Sequence, residues 1–438
     1  MDVDIKFNSD LTILTGINGS GKTTSLNIIQ AILLPKIEDL ISIPFENIEL
    51  VLEHLSKIYS FKIIKNKNSL IFDVFESNIK VVKTLTIPRD LINDYELQKI
   101  HSVENKNIEI LFRKFREEEY FKFIEKLNKP TLIGLERTNF DIADEYKDYL
   151  YERNMFLRKD SDFRGFRKKT NLGISTLETE MLVQNVYKRV REIRDNYYKV
   201  INKELITSSF DYTEFSINDL QGNTLDIKEK FRILEKKDEI EETLKSIGFL
   251  DADLSQKLRL FFEKIENVMK KFDTDNTPIT LEWILNKSQL DKLHKVLNII
   301  DDYNSKANKI FEPVNKFLDL INTFLKDSGK KILIDSVGRL LITKPQGRNL
   351  TIDELSSGER QLVILFANVI FGKYTPKRKH ISDIFIIDEP EISLHIRWQE
   401  NFISSLLKAS SNTQFIIATH SPDIIGEYKA NTERVLRK

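Results

Sequence analysis

Apolar and polar positions change their period along the chain, and the changes mark out elements. Leu11-Thr12-Ile13-Leu14 is a short apolar run with turn signals at both ends, the pattern of a buried parallel strand. Beyond it Leu26, Ile29, Ile32 and Leu33 recur at helical spacing until Pro35, which predicts a helix. Residues 48–58 read as a short helix. Three strand-like runs follow at 59–65, 69–75 and 79–87, separated by Asn-Lys-Asn and Ser-Asn, so they predict an antiparallel meander. Residues 91–115 and 117–127 read as helical, and 130–135 as another core strand ending in Glu136-Arg137-Thr138-Asn139.

From about 141 to 330 the period becomes helical throughout. Leu182, Val186, Val190, Ile193, Tyr197 and Val200 form one stripe, with further stripes over 225–247, 253–272 and 281–325. Glycine is scarce and Lys/Glu pairs abound, as in a helical hairpin or arm. After 330, strand and helix alternate again. Residues 331–335 and 339–343 flank a Ser-Val-Gly turn and predict a hairpin; 356–371 and 393–407 predict helices; 383–387 and 414–419 predict strands. The expected organisation is therefore α/β, one lobe in two halves, 1–140 and 331–438, bracketing a helical insertion at 141–330.

Composition narrows the function classes. At 438 residues the chain exceeds one ordinary core. Its 67 basic and 67 acidic residues cancel, so no global field draws it to nucleic acid or an anionic membrane. Zero cysteines exclude disulfides, thiolate catalysis and cysteine-ligated zinc, and they fit a cytoplasmic location. No window approaches 18 uninterrupted apolar residues, so no membrane span is expected.

Chemistry enters at Gly16-Ile17-Asn18-Gly19-Ser20-Gly21-Lys22-Thr23, which fits the phosphate-loop pattern G-x-x-x-x-G-K-[ST] without mismatch. Asn18, Gly19, Ser20, Gly21, Lys22, Thr23 and Thr24 are the candidate nucleotide-binding residues. The glycines permit a tight turn that aims backbone N–H groups at a phosphate, and the following helix points its N-terminus at the same anion. Lys22 is expected to reach the β- and γ-phosphates of ATP, and the Thr23 hydroxyl to bind Mg²⁺. Ile384-Phe385-Ile386-Ile387-Asp388-Glu389-Pro390 is an apolar strand delivering two carboxylates to its end. Such a strand puts Asp388 beside the loop's Mg²⁺, with Glu389 placed to orient or deprotonate the attacking water.

About 30 residues earlier, Leu355-Ser356-Ser357-Gly358-Glu359 opens a predicted helix behind a serine cap. In that position it resembles the Leu-Ser-Gly-Gly-Gln signature of the ATP-binding-cassette (ABC) class, with Ser for the first Gly and Glu for the Gln. The resemblance implies an ABC-type P-loop ATPase lobe, a mixed sheet with an antiparallel subsheet. In that class the signature binds a γ-phosphate held by a second subunit, so Ser356, Ser357 and Gly358 would act in trans and the active form would be a homodimer or higher homo-oligomer. It makes Asp388 the metal-site residue, Glu389 the catalytic base and His420, at the end of Phe415-Ile416-Ile417-Ala418-Thr419, the switch histidine.

Glu389-Pro390-Glu391-Ile392-Ser393-Leu394-His395, together with Ala418-Thr419-His420-Ser421-Pro422, is similar to the soluble ATPases of the OLD, RecF and SMC-like group. The likeness extends to standalone ATPase subunits of anti-phage systems of the Septu, PARIS and retron-associated types. It implies that Ser393 and His395 communicate across a dimer and that the chain controls a partner effector, a nuclease or toxin. The alternative is a RecF-like DNA-repair ATPase acting on ends or gaps; a transporter cassette is disfavoured. The family's first strand has only residues 2–7 in its place, and its glutamine loop has no counterpart. Arg137 stands there instead, readable as a phosphate or DNA contact or as a structural ion pair. The 18 or so residues after His420 leave no space for a Toprim nuclease, so no intrinsic nuclease is expected. Finally, Arg153, Arg158, Lys159, Arg164, Arg167, Lys168 and Lys169 interleave with Phe156, Phe163 and Phe166. That run suits DNA binding by charge neutralisation and stacking, or a solvated loop with its phenylalanines in the core.

Overall fold

A computed structural model describes residues 2–34, 37–88, 115, 117–127, 129–133, 171–209, 237–238, 241, 252–270, 281–344, 349–374 and 381–435. The helical stretch expected at 91–115, apart from Phe115, lies outside the described residues, as do most of the 225–247 stripe, Arg137 and the basic run at 153–169.

Thirteen strands are described: β1 Leu11–Thr15, β2 Asn47–His54, β3 Lys57–Lys65, β4 Ser69–Glu76, β5 Ile79–Lys80, β6 Leu85–Pro88, β7 Lys129–Ile133, β8 Lys331–Ile334, β9 Leu340–Thr343, β10 Asn349–Leu350, β11 Ile381–Asp388, β12 Gln414–Ala418 and β13 Thr432–Arg434. The described helices are α1 Lys22–Leu33, α2 Ile37–Ser42, α3 Glu119–Ile124, α4 Asn171–Ser209, α5 Ala252–Lys270, α6 Leu281–Leu325, α7 Ser357–Phe371, α8 Ile396–Glu400, α9 Phe402–Ala409 and α10 Pro422–Ile425.

Five strands form an all-parallel sheet in the order β13-β1-β12-β11-β7. Strands from the two ends of the sequence mix in it: β1 lies between β13 and β12, and β7 pairs with β11. Ile13, Leu14, Ile386, Ile387, Phe415 and Ile417 are essentially fully buried, as strands covered on both faces should be. The C-terminal ends of β1, β11 and β12 therefore lie side by side, where open parallel sheets bind their ligands.

A second, antiparallel sheet runs β2-β3-β4-β5, with β6 also on β4. Phe61, Ile63, Leu70, Phe72 and Val74 bury one face of it in a core shared with Leu26, Ile32, Phe121 and Ile386. The predicted meander holds, its third run divided between β5 and β6, both paired with β4. The helix expected at 48–58 is instead strand β2, paired with β3 from Asn47↔Ile64 to His54↔Lys57. Ile48, Leu50 and Leu52 are half-buried while Glu49, Val51 and Glu53 are exposed, a period of two that cross-strand pairing enforces. The single helix expected at 393–407 is also corrected. A 3₁₀ turn over Pro390–Ser393, extended Leu394 and His395, and a break at Asn401 separate α8 from α9.

Contacts divide the chain into two compact units, Met1–Tyr187 with Pro313–Lys438, and Lys188–Glu312. In the first, the C-terminal part of α6 packs on α7: Phe317 lies 5.0 Å from Phe371, and Phe324 5.7 Å from Phe366. In the second, which is helical in its described residues, Arg194 lies over the Phe311 ring at 5.4 Å and Lys306 over Tyr197 at 5.8 Å. The helices α4 and α6 each continue from one unit into the other, and Pro313 lies inside α6 at the boundary. Among the described residues no helix is long and apolar enough to cross a membrane.

Candidate nucleotide site

The phosphate loop joins β1 to α1. Gly19 and Gly21 have φ of 76° and 103°, a region side chains avoid, which lets the chain reverse between a buried strand and helix. The turn is closed by Ser20 N–H donating to Ile17 O at 3.1 Å, and α1 begins with Ser25 N–H donating to Gly21 O at 2.8 Å. Asn18, Gly19, Thr23 and Thr24 are exposed, whereas Ser20 and Lys22 are buried. The Lys22 ammonium donates to Gly16 O at 3.0 Å and lies 3.4 Å from Ile17 O, both within its own loop. It also donates to Nε2 of His420 at 2.6 Å; an ammonium has no acceptor, so the imidazole accepts. Burial pulls the Lys22 pKa below its ordinary value, opposed by Glu389, Asp388 and Glu391.

Three sequence-predicted residues, Asp388, Glu389 and His420, meet around that lysine, although 366 or more positions separate it from each of them. Asp388 ends β11 beside Ala418 of β12, buried, with the Thr23 hydroxyl close enough to influence its carboxyl. Burial pushes the Asp388 pKa up; Thr23 and Lys22 pull it down, and Glu389 and Glu391 add to the rise. Its Oδ1 is buried and has no hydrogen-bond partner among the described residues. An orphaned carboxylate oxygen beside a threonine hydroxyl fits Mg²⁺, which takes one or two protein ligands and completes its shell with phosphate and water. Glu389 stands in the left-handed region (φ 45°, ψ 58°) immediately before Pro390, with its Oε1 3.9 Å from His420 Nε2. A side-chain-bearing residue held there is strained by about 1 kcal/mol or more, which marks a turn fixed by its surroundings.

The helix α7 presents Ser356 as its N-cap in a reciprocal capping box. Ser356 N–H donates to Glu359 Oε2 at 2.7 Å, and Glu359 N–H to Ser356 Oγ at 3.3 Å. Lys330 also donates to Glu359 Oε2, at 2.6 Å. The residue standing for the signature's glutamine is thus spent inside its own lobe, a role that motif matching does not convey. Ser356 and Ser357 are exposed; Gly358 is buried against Ser393. His395 caps α8, its Nδ1 accepting from Arg397 N–H at 3.4 Å.

Two contributors escape a reading by motif. Glu391 Oε1 accepts from the Thr419 hydroxyl at 2.8 Å and from His420 N–H at 2.7 Å. Gln399 accepts from the Ser421 hydroxyl at 2.6 Å and donates to Leu394 O at 2.9 Å. Both tie the turn after β11 to the turn after β12, and only their nearness in sequence to Glu389 hinted at it.

Comparison with known proteins finds relatives among ATPases. The chain is 25 % identical over 182 residues to the "Retron Vc95 probable ATPase" of Vibrio cholerae serotype O1 biovar El Tor, covering 38 % of this chain and 35 % of that one. It is 25 % identical over 245 residues to the "Retron Ec83 probable ATPase" of Escherichia coli, covering 49 % and 44 %. The chain thus spans less than half the length of these curated relatives. Among solved structures it is similar to an Smc head domain with an extended coiled coil, from Pyrococcus furiosus and bound to the C-terminal domain of ScpA. That match has 13 % identity and a TM-score of 0.35, covering 98 % of this chain and 86 % of that one. The model of the AAA ATPase domain family matches residues 1–425, so the phosphate loop, the β11 carboxylates and His420 all fall within one family match, and the chain belongs to that family.

Proposed function

We propose that this chain binds and hydrolyses MgATP, dimerises on ATP through composite sites, and thereby controls a partner effector, a nuclease or toxin, in anti-phage defence. The observation that carries the ATPase reading is the convergence of Lys22, Thr23, Asp388, Glu389 and His420 at the C-terminal ends of β1, β11 and β12. The lobe is read as residues 1–140 with 331–438, and 141–330 as its helical insertion. Lys22 leaves its own loop carbonyls to pair with the β- and γ-phosphates, and the loop N–H groups cradle them. Thr23 and Asp388 would hold Mg²⁺, which when bound would offset charge on the phosphate oxygens. Glu389 positions or deprotonates the attacking water, and His420 contacts the γ-phosphate.

Dimerisation rests on Ser356 and Ser357, exposed at the N-terminus of a 15-residue helix. A helix start of this kind suits an anion presented by a second copy. The defence role rests on the retron ATPases among the relatives, with any nucleic-acid cleavage left to the partner. The deciding experiment is size-exclusion chromatography with MgATP on wild type and Glu389→Gln. The variant should hold ATP and elute as a dimer or larger; a monomer in both cases would sink the composite-site reading.

A further inference from the structure

We propose that Glu391 is a positioning residue of this site: it clamps the backbone at Thr419-His420 so that the His420 imidazole stays on Lys22. This rests on the ATPase reading for its consequence, but its geometry stands apart from it. One carboxylate oxygen takes two donors from consecutive residues, the Thr419 hydroxyl at 2.8 Å and the His420 N–H at 2.7 Å. Among the described residues the His420 ring has no comparable hold of its own. It is about a third exposed, and the contacts it makes are to site groups, Lys22 at 2.6 Å and Glu389 at 3.9 Å. Its place is therefore set through the main chain. Thr419 is fully buried and its N–H donates to Leu14 O of β1 at 3.1 Å, so the strand that carries the phosphate loop anchors the same residue. Glu391 closes that frame from the β11 side.

The route by which Glu391 gets there supports the assignment. The left-handed turn at Glu389 and the fixed φ of Pro390 swing the chain into the 3₁₀ turn Pro390–Ser393, which returns Glu391 towards β12. Its second oxygen, Oε2, is buried with no hydrogen-bond partner among the described residues. The negative charge faces Lys22 and Asp388, with Glu389 beside them. Glutamine would retain the accepting oxygen while removing that charge, which separates the clamp from the field.

The test compares wild type, Glu391→Ala, Glu391→Gln, His420→Ala and the double variant Glu391→Ala/His420→Ala. ATP hydrolysis and amide hydrogen exchange over residues 418–422 are measured for each. With the clamp removed, Glu391→Ala should exchange at least about tenfold faster over 419–421. Its kcat should fall to the level of His420→Ala with KM changed by less than about threefold, and the double variant should be no slower than His420→Ala. Glu391→Gln should keep slow exchange and most of kcat. Unchanged exchange in Glu391→Ala, or losses that multiply in the double variant, would overturn the proposal. Absent hydrolysis in wild type would instead count against the ATPase reading, with the exchange data still deciding the clamp.

Discussion

Gly358 lies against the carbonyl of Ser393: a Cβ at 358 would come within 2.2 Å of that oxygen and 3.4 Å of the Trp398 ring. The glycine of the signature is thus required by a close approach between α7 and the turn that follows Glu389, in addition to any role with an anion. Gln361 adds to the same contact, its Nε2 donating to Pro390 O at 3.3 Å. Gly358→Ala should destabilise by about 1–3 kcal/mol, because a backbone carbonyl cannot step aside as a side chain can. Urea unfolding measures it, and a variant as stable as wild type would show that the two segments separate freely.

Strain at Glu389 predicts an inverted preference. In the left-handed region glycine is unpenalised, whereas alanine bears the full clash. Glu389→Gly should therefore be more stable than Glu389→Ala by about 1 kcal/mol, the reverse of the usual order, with both inactive as ATPases. Equal unfolding midpoints for the pair would mean that the turn relaxes once the carboxylate is gone.

Lys22 is a buried cation whose proposed role is to bind the phosphates of the nucleotide. Its pKa is lowered by burial, so removing the charge should not harm the nucleotide-free protein. Lys22→Met is expected to melt at or above the wild-type temperature, yet to gain nothing from MgATP, which should raise the wild-type midpoint by mass action. Differential scanning fluorimetry with and without MgATP checks both halves. Equal MgATP protection of the two proteins would remove Lys22 from the binding site.

The Lys330–Glu359 pair predicts an acid-side signature. Burial alone would raise the Glu359 carboxyl; hydrogen bonds from Lys330, the Ser356 amide and Ser328 outweigh it and hold it below its ordinary 4.5. A carboxyl depressed in the folded state adds stability above that ordinary value and loses it as pH falls through the folded one. Glu359→Gln, which leaves the Lys330 ammonium without its anion, should cost about 3 kcal/mol near neutrality. The gap to wild type should stay flat down to about pH 5 and close below 4.5. Denaturant midpoints against pH provide the measurement, and a gap that does not narrow as pH falls below 4.5 would show that the charge contributes nothing.

Local chemistry made much of this protein legible. A short, largely apolar run between turn signals suits a covered strand, and the glycine spacing before Lys22 and Thr23 is a backbone requirement, so β1, the loop and α1 follow from the residues in order. The same holds for β11 with Asp388 and for β12 leading to His420. Residues 48–58 misled because Ile48, Leu50 and Leu52 suit either period over so short a span, and only pairing with β3 chose between them. The helix expected at 393–407 failed because the extended pair Leu394-His395 is set by the turn before it and by Gly358 and Gln399 packing on that turn.

What the sequence determined by itself is therefore the inventory: which residues can cradle a phosphate, which strands must be buried, and where helices cap. What only the tertiary structure decided is proximity. Lys22 meets His420 across 398 positions because β12 lies between β1 and β11, and strand order is a product of how the whole sheet packs. The same packing gave Glu359 to Lys330, Gly358 to Ser393 and Glu391 to the His420 backbone, contacts between segments whose separate patterns carry no trace of one another.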